Sequence, residues 1–176
     1  PVQSGSDRVL KAMNRHYTHD EYLALVAKLR KAIPDLSITT DIIVGFPTET
    51  PEDVDETVRL VKEVGFDNAF TFIYSKRTGT PAADLEMAMT PEKISECFDK
   101  VLKTVQDNAR SCAAKLTGLK SVALVEELNE HDPSLVTGRL SNNYLVHFPG
   151  DASMIGKLVN VELTENKGFY FYGKAI

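Results

Sequence analysis

Cysteine is scarce in the 176-residue chain: Cys97 and Cys112 are the only two and stand in no CxxC spacing. That excludes a disulfide framework and an all-thiolate metal site. The four histidines, His16, His19, His131 and His147, share no metal-ligand spacing either. No stretch approaches the roughly 18 to 20 consecutive apolar residues that span a bilayer, and no charged-then-apolar amino-terminal segment reads as a secretion signal. These absences predict a soluble, cytoplasmic protein with no membrane partner. An excess of positive charge is missing too: the net charge is −5, which excludes nucleic-acid binding by bulk charge alone. An initiator methionine is lacking, and Pro1, Val2 and Gln3 run straight into motif-like sequence, as in a cut chain. What remains is 43% hydrophobic and 26% charged, ordinary globular composition for one domain or two small ones.

The patterning changes near Gly118. Before it, short apolar runs alternate with helical periods. Thr18 and Glu21 form a capping-box start, and Tyr22, Leu23, Val26, Leu29 and Ile33 follow at helical spacing until Pro34. Leu36 to Val44 reads as a strand whose Ile42-Ile43-Val44 run suits a parallel sheet covered on both faces. Thr50-Pro51 caps a helix with Val54, Val58, Val61 and Val64 on one face, stopped by Gly65. Asn68 to Tyr74 is the next strand, and a long helix of about 26 residues runs from Thr90 towards Gly118. Both cysteines fall on its apolar stripe, ~22 Å apart, and read as buried inert thiols.

With Pro1 to Gln3 as a strand stub, this is a βα order with only three parallel strands. Such a sheet has open edges and a thin core, so it reads as the end of a larger sheet or partial barrel. After Gly118 five short strands, Ser121 to Glu126, Leu135 to Leu140, Tyr144 to Phe148, Leu158 to Leu163 and Phe169 to Tyr172, suggest a small barrel. The expected fold is α/β plus all-β, divided into residues 1–117 and 118–176.

In parallel βα folds the reactive groups lie on loops after the strands' carboxyl ends. Three loops qualify: Gln3 to Ser6, Gly45 to Glu49 and Tyr74 to Thr80. All are polar and contain glycine, which suits turns in general and also a converging site for a carboxylate or phosphate. Asp41, inside an apolar strand, is a ligand contact or a buried ion-pair member. Arg15, closing the first short helix, is a solvated charge favourable to the helix dipole or a fork for a ligand carboxylate. The second unit carries five basic and seven acidic residues, so tight charge-driven RNA binding by this barrel alone is not expected. Its aromatics, Tyr144, Phe148, Phe169, Tyr170, Phe171 and Tyr172, read as barrel core more readily than as base-stacking surface.

Taken together, Pro1-Val2-Gln3-Ser4-Gly5-Ser6 with Val9 to Arg15, Thr40 to Pro47 with Glu49-Thr50, and Phe70 to Ser75 with Arg77, Gly79, Thr80 and Pro81 resemble consecutive motifs of the radical-SAM methylthiotransferases. Residues 118 to 176, including Gly138-Arg139 and Val146 to Gly150, resemble the TRAM domain of that family. Phe66 to Ser75 most resembles the branch that modifies isopentenyladenosine in tRNA.

The resemblance implies the carboxyl-terminal half of a radical-SAM partial barrel followed by a five-stranded TRAM barrel. It implies addition of a methylthio group to carbon 2 of isopentenyladenosine next to the anticodon, with S-adenosylmethionine (SAM) and two 4Fe-4S clusters as cofactors. The cluster cysteines would lie upstream of Pro1. This chain would then hold no cluster and act only with the preceding domains of the same polypeptide, with tRNA and an electron donor protein as partners. By motif position, Gln3, Ser4, Arg15, Asp41 and Gly45 fall to SAM and Arg77 to the substrate side. The family usually shows Gly where Thr48 stands and Pro where Lys76 stands. A free-standing RNA-binding module and a methylthiotransferase acting on a ribosomal protein are the alternative readings.

Overall fold

Local signals set the element boundaries of the computed structural model, which describes residues 1–176. The chain divides into two units, Pro1–Ala109 and Arg110–Ile176. The elements of the first are α1 (Asp7–Ala12), α2 (His19–Ala32), β1 (Thr39–Val44), α3 (Pro51–Val64) and β2 (Asn68–Ile73). The division falls inside α4 (Pro91–Ala114). Thr18 and Glu21 close the expected capping box on α2, and Thr50 with Asp53 closes another on α3, where Pro51 opens the first turn. Each box satisfies amides that the start of a helix leaves unpaired.

Strands β1 and β2 pair in parallel, Thr39 opposite Asn68 through Val44 opposite Ile73. The expected third strand at Pro1 to Gln3 is reduced to one bridge, Gln3 to Ile42. Gln3 N donates to Asp41 O at 3.0 Å and Ile43 N donates to Gln3 O at 2.9 Å. Beyond that the backbone turns to φ 64° at Gln3 and leaves the ladder. One sheet face is covered along β1, where Ile42 and Val44 share a buried core with Val54, Val58 and Val61 of α3 and Ile94, Cys97 and Val101 of α4. The other is bare. Asp41 and Ile43 are half-buried there, and their register partners Phe70 and Phe72 are 57% and 52% exposed.

The second unit is a closed barrel in the order β3-β4-β5-β7-β6, built from β3 (Lys120–Leu128), β4 (Leu135–Leu140), β5 (Leu145–Pro149), β6 (Leu158–Asn166) and β7 (Tyr170–Ala175). Ladders shift register between Val125 and Glu127 and between Leu163 and Glu165, bulges that let short strands bend into closure. The core is Ala123, Val125, Val136, Val146, Phe148, Val161, Leu163 and Phe171. Gly138 sits tightly in that wall: a Cβ there would lie 3.0 Å from Ala123 Cβ and 3.2 Å from Phe148 Cε1.

Several expectations shift. The long helix stops at Ala114, because Lys115, Leu116 and Thr117 bond back three residues in a tighter turn ahead of Gly118. Cys97 is buried but Cys112 is only partly so. Two short 3-10 turns, Pro81–Asp84 and Ala152–Met154, carry no periodic signal. Among the barrel aromatics, Phe148 and Phe171 are core as expected, whereas Phe169 is 70% exposed and Tyr170 and Tyr172 are only half-buried. Strand alternation explains the two tyrosines, since the neighbours of an inward Phe171 must face out, while Phe169 lies ahead of β7 in the preceding turn. No helix is long and apolar enough to cross a membrane.

Candidate functional site

Two of the three loops singled out by the sequence are tied to each other through α3. Gly5 N donates to Thr57 Oγ1 at 2.8 Å, and the fully buried Ser4 hydroxyl lies 3.3 Å from the same oxygen. Ser6 Oγ donates to Asp53 Oδ1 at 2.7 Å, and Arg8 pairs with Asp53 Oδ2 while also donating to Thr48 O at 2.7 Å. Burial pushes the Asp53 carboxyl up, but the hydrogen bonds from Arg8, Ser6 and Thr50 outweigh it and hold the group below the usual aspartate range. Asp53 therefore links the loop after the strand stub to the loop after β1.

The second loop is also closed on itself. Gly45 leaves β1 at φ 78°, and a Cβ there would lie 2.8 Å from Ile94 Cγ2, so only glycine fits. Its amide donates to Glu49 Oε2 at 2.5 Å. Glu49 is 1% exposed, and burial raises its carboxyl to about 7 against the pull of the Gly45 and Phe46 amides, with nearby Asp53 adding to the rise. Thr48, where the resembling family carries Gly, sits at φ 74°, a left-handed backbone that a β-branched residue adopts only under strain.

The open chemistry lies on the bare sheet face and beyond the end of β2. Ile43, Phe72, Tyr74, Ser75, Arg77 and Thr80 line a cavity of about 470 Å³. The Tyr74 ring stands edge-on to Phe46, 5.3 Å between centroids, and its hydroxyl is buried with no partner in the chain. An unpaired buried hydroxyl costs about 1 to 3 kcal/mol, and a polar group of a ligand in this cavity would satisfy it. The Arg77 guanidinium is exposed at the rim, with its carbonyl holding the Thr80 hydroxyl at 2.8 Å. The pieces present therefore suit a ligand with an apolar, planar body and polar edges.

Of the six predicted site residues, Asp41 and Gln3 come together, joined by a backbone hydrogen bond of 3.0 Å. Asp41 faces the bare side beside Ile43, and Arg77 shares the cavity with Ile43. The Ser4 hydroxyl and the Gly45 amide bond to Thr57 and Glu49 within the chain. Arg15 is exposed, following Asn14, which ends α1 at φ 57°. Glu49, Asp53, Thr57 and Tyr74 carry much of the geometry: Glu49 and Tyr74 fall in the loops the sequence picks out but receive no role of their own there, and Asp53 and Thr57 lie outside those loops. Glu49 beside Thr50-Pro51 was the available signal, an acid between an apolar strand and a capped helix. No group of three or more His, Cys, Asp or Glu side chains is placed to hold a metal ion.

A half-covered parallel sheet with loops at its carboxyl edge, followed by a small closed barrel, defines the class. Residues 1–61 match the sequence model of the Radical SAM superfamily and residues 118–176 that of the TRAM domain. Along the chain the match therefore runs from the radical-SAM model to the TRAM model, in the order the sequence resemblance implied. The chain is 51% identical, over 99% of its length, to the tRNA-2-methylthio-N(6)-dimethylallyladenosine synthase of Lachnoclostridium phytofermentans, covering 38% of that protein. Proteins of the same name from Acetivibrio thermocellus and Geobacillus kaustophilus are 45% and 46% identical over the whole chain, which covers 37% and 33% of them. The chain thus spans between a third and two fifths of the length of these curated relatives.

Proposed function

We propose that the chain is part of a tRNA methylthiotransferase that adds a methylthio group to carbon 2 of isopentenyladenosine next to the anticodon. The observation that carries this reading is similarity to synthases of that name along the entire chain, through radical-SAM segment and TRAM domain alike. Residues 1–117 would form one wall of the reaction chamber and residues 118–176 the tRNA-docking domain. SAM and the iron-sulfur clusters, when bound, supply the radical and methyl-transfer chemistry. Clusters would be held by preceding residues of a longer cytoplasmic polypeptide, reduced by an electron donor protein.

This chain's own residues bind and orient. Asp41 on the bare face, the buried Gln3 bonded to its backbone, and Gly45 fixed by Glu49 at the end of β1 are the candidates for the SAM side, while Ser4 holds the first loop in shape. Arg15 is the candidate for the SAM carboxylate and Arg77 for the substrate side. Phe70, Phe72 and Ile43 exclude water from the chamber wall.

The test is complementation of a strain lacking the modification with the complete gene, followed by mass spectrometry of tRNA nucleosides. Restored 2-methylthio-isopentenyladenosine, lost with Arg77→Ala, is expected. Unmodified tRNA beside a methylthiolated ribosomal protein would overturn the assignment. In the same protein Arg15→Ala should weaken SAM in an equilibrium titration, and unchanged affinity would remove Arg15 from the site.

A further inference from the structure

One rung of the barrel crosses all five strands. Glu127 pairs with Thr137, Thr137 with His147, His147 with Tyr172, and Tyr172 with Glu165. Its middle is aromatic and both its ends are acidic. Tyr170, two residues before Tyr172 on the same face, completes a triad of rings. Centroids are 4.8 Å apart for His147 and Tyr170, 6.1 Å for His147 and Tyr172, and 5.7 Å for the two tyrosines, all mutually tilted. The three rings line a cavity of about 420 Å³ together with the carboxyl-bearing Glu127, Glu130 and Asp132.

The imidazole is held in one state. His147 Nδ1 lies 3.1 Å from both the Asn129 amide nitrogen and Thr137 Oγ1, each able to donate to it, which leaves the proton on Nε2. Burial lowers the His147 pKa, although the Glu127 carboxylate pulls the other way, so the ring is neutral at pH 7 and adds no positive charge. One cation already uses the cluster's outer side: Lys167 Nζ lies 5.8 Å from the Tyr172 centroid and pairs with Glu165 at 2.6 Å.

Single-stranded nucleic acid is bound where aromatic platforms sit in a positively charged groove. Here the platform is present and the sign is reversed, since the charges lining the cavity are carboxylates, which repel a phosphate backbone. Tilted rings with an acidic rim are instead complementary to an organic cation, held by ring faces and neutralised by the rim. We propose that the His147–Tyr170–Tyr172 cavity of the TRAM barrel is a docking site for an arginine or lysine side chain presented by a basic segment of a protein partner. The acidic rim selects that occupant over RNA, whose contacts with this domain would fall on other faces.

The test uses the 176-residue chain and a capped peptide, acetyl-Gly-Gly-Arg-Gly-Gly-amide, followed by NMR of the His147, Tyr170 and Tyr172 ring signals. Saturable shifts at these three residues are expected, competed by tetramethylammonium and absent with a Gln-for-Arg control peptide. Glu127→Gln combined with Glu130→Gln should weaken binding roughly tenfold, and Tyr172→Trp should strengthen it because indole is the better cation-binding face. A gain of affinity cannot arise from misfolding. If a short oligoadenylate shifts these signals while the arginine peptide does not, the cavity is a base-stacking site and the proposal fails. It fails equally if the peptide produces no saturable shift.

Discussion

The Glu49 carboxylate accepts the Gly45 amide at 2.5 Å, so the turn after β1 is fastened by the residue just ahead of the next helix cap. The folded carboxyl titrates at about 7 against an ordinary 4.5, so between those values the folded protein retains a proton that the unfolded chain has released. Stability attributable to Glu49 therefore falls as pH rises through this window, by about 3 kcal/mol. Asp53, with its lowered carboxyl, contributes the opposite slope, stability lost as pH falls through more acidic values. Glu49→Gln keeps an acceptor for Gly45 and should flatten urea stability between pH 4.5 and 7 while stabilising the protein at pH 8. An unaltered pH slope would refute the burial-driven shift.

Thr48 lies in the same loop at φ 74° with its carbonyl held by Arg8. Left-handed backbone costs a side-chain-bearing residue about 1 to 2 kcal/mol, and extra unfolded-state freedom of glycine returns about 0.5 to 1 kcal/mol of this. Thr48→Gly is thus expected to stabilise the first unit by about 0.5 to 1 kcal/mol in denaturant melts. Destabilisation would mean that the threonine side chain itself supports the turn.

In the barrel, Gly138 faces Ala123 and Phe148 closely enough that another carbon would push its neighbours by a few tenths of an ångström. Overpacking of this kind costs about 1 to 3 kcal/mol. Gly138→Ala should accelerate amide exchange in β3 to β5 and leave α3 and β1 unchanged. Exchange unaltered in the barrel would show that the wall relaxes at no cost.

The bare face and free edge of β2 expose Phe70, Phe72 and Ile73, and α2 exposes Leu25 with Ile33 just past its end. An unpaired strand edge beside apolar surface invites pairing with another copy. Sedimentation of the 176-residue chain should show concentration-dependent self-association, reduced by Phe72→Lys. A monomer at every concentration would count against an incomplete sheet.

Long periodic elements were legible because their signals are local. Thr18 with Glu21 and Thr50 with Pro51 marked helix starts correctly, and the Val54, Val58, Val61 and Val64 stripe is buried as read. The site was harder. Asp53 acts across 45 to 47 residues of sequence, on Arg8 and Ser6, and no spacing rule reaches that far. Tyr170 and Tyr172 read as core because a run of four aromatics hides which ring faces inward until the buried Phe171 fixes the alternation. The reduction of Pro1 to Gln3 to a single bridge depends on a backbone turn at Gln3 that residue type does not announce.

The barrel order places β7, latest of its strands in the chain, between β5 and β6. A nascent chain emerging from the ribosome at about 5 to 20 residues per second therefore carries two unsealed strand edges until Tyr170–Ala175 is free to slot between them. Closure is the last event in that unit's birth, and it is the stage at which a chaperone or a neighbouring nascent chain has the best chance to intervene.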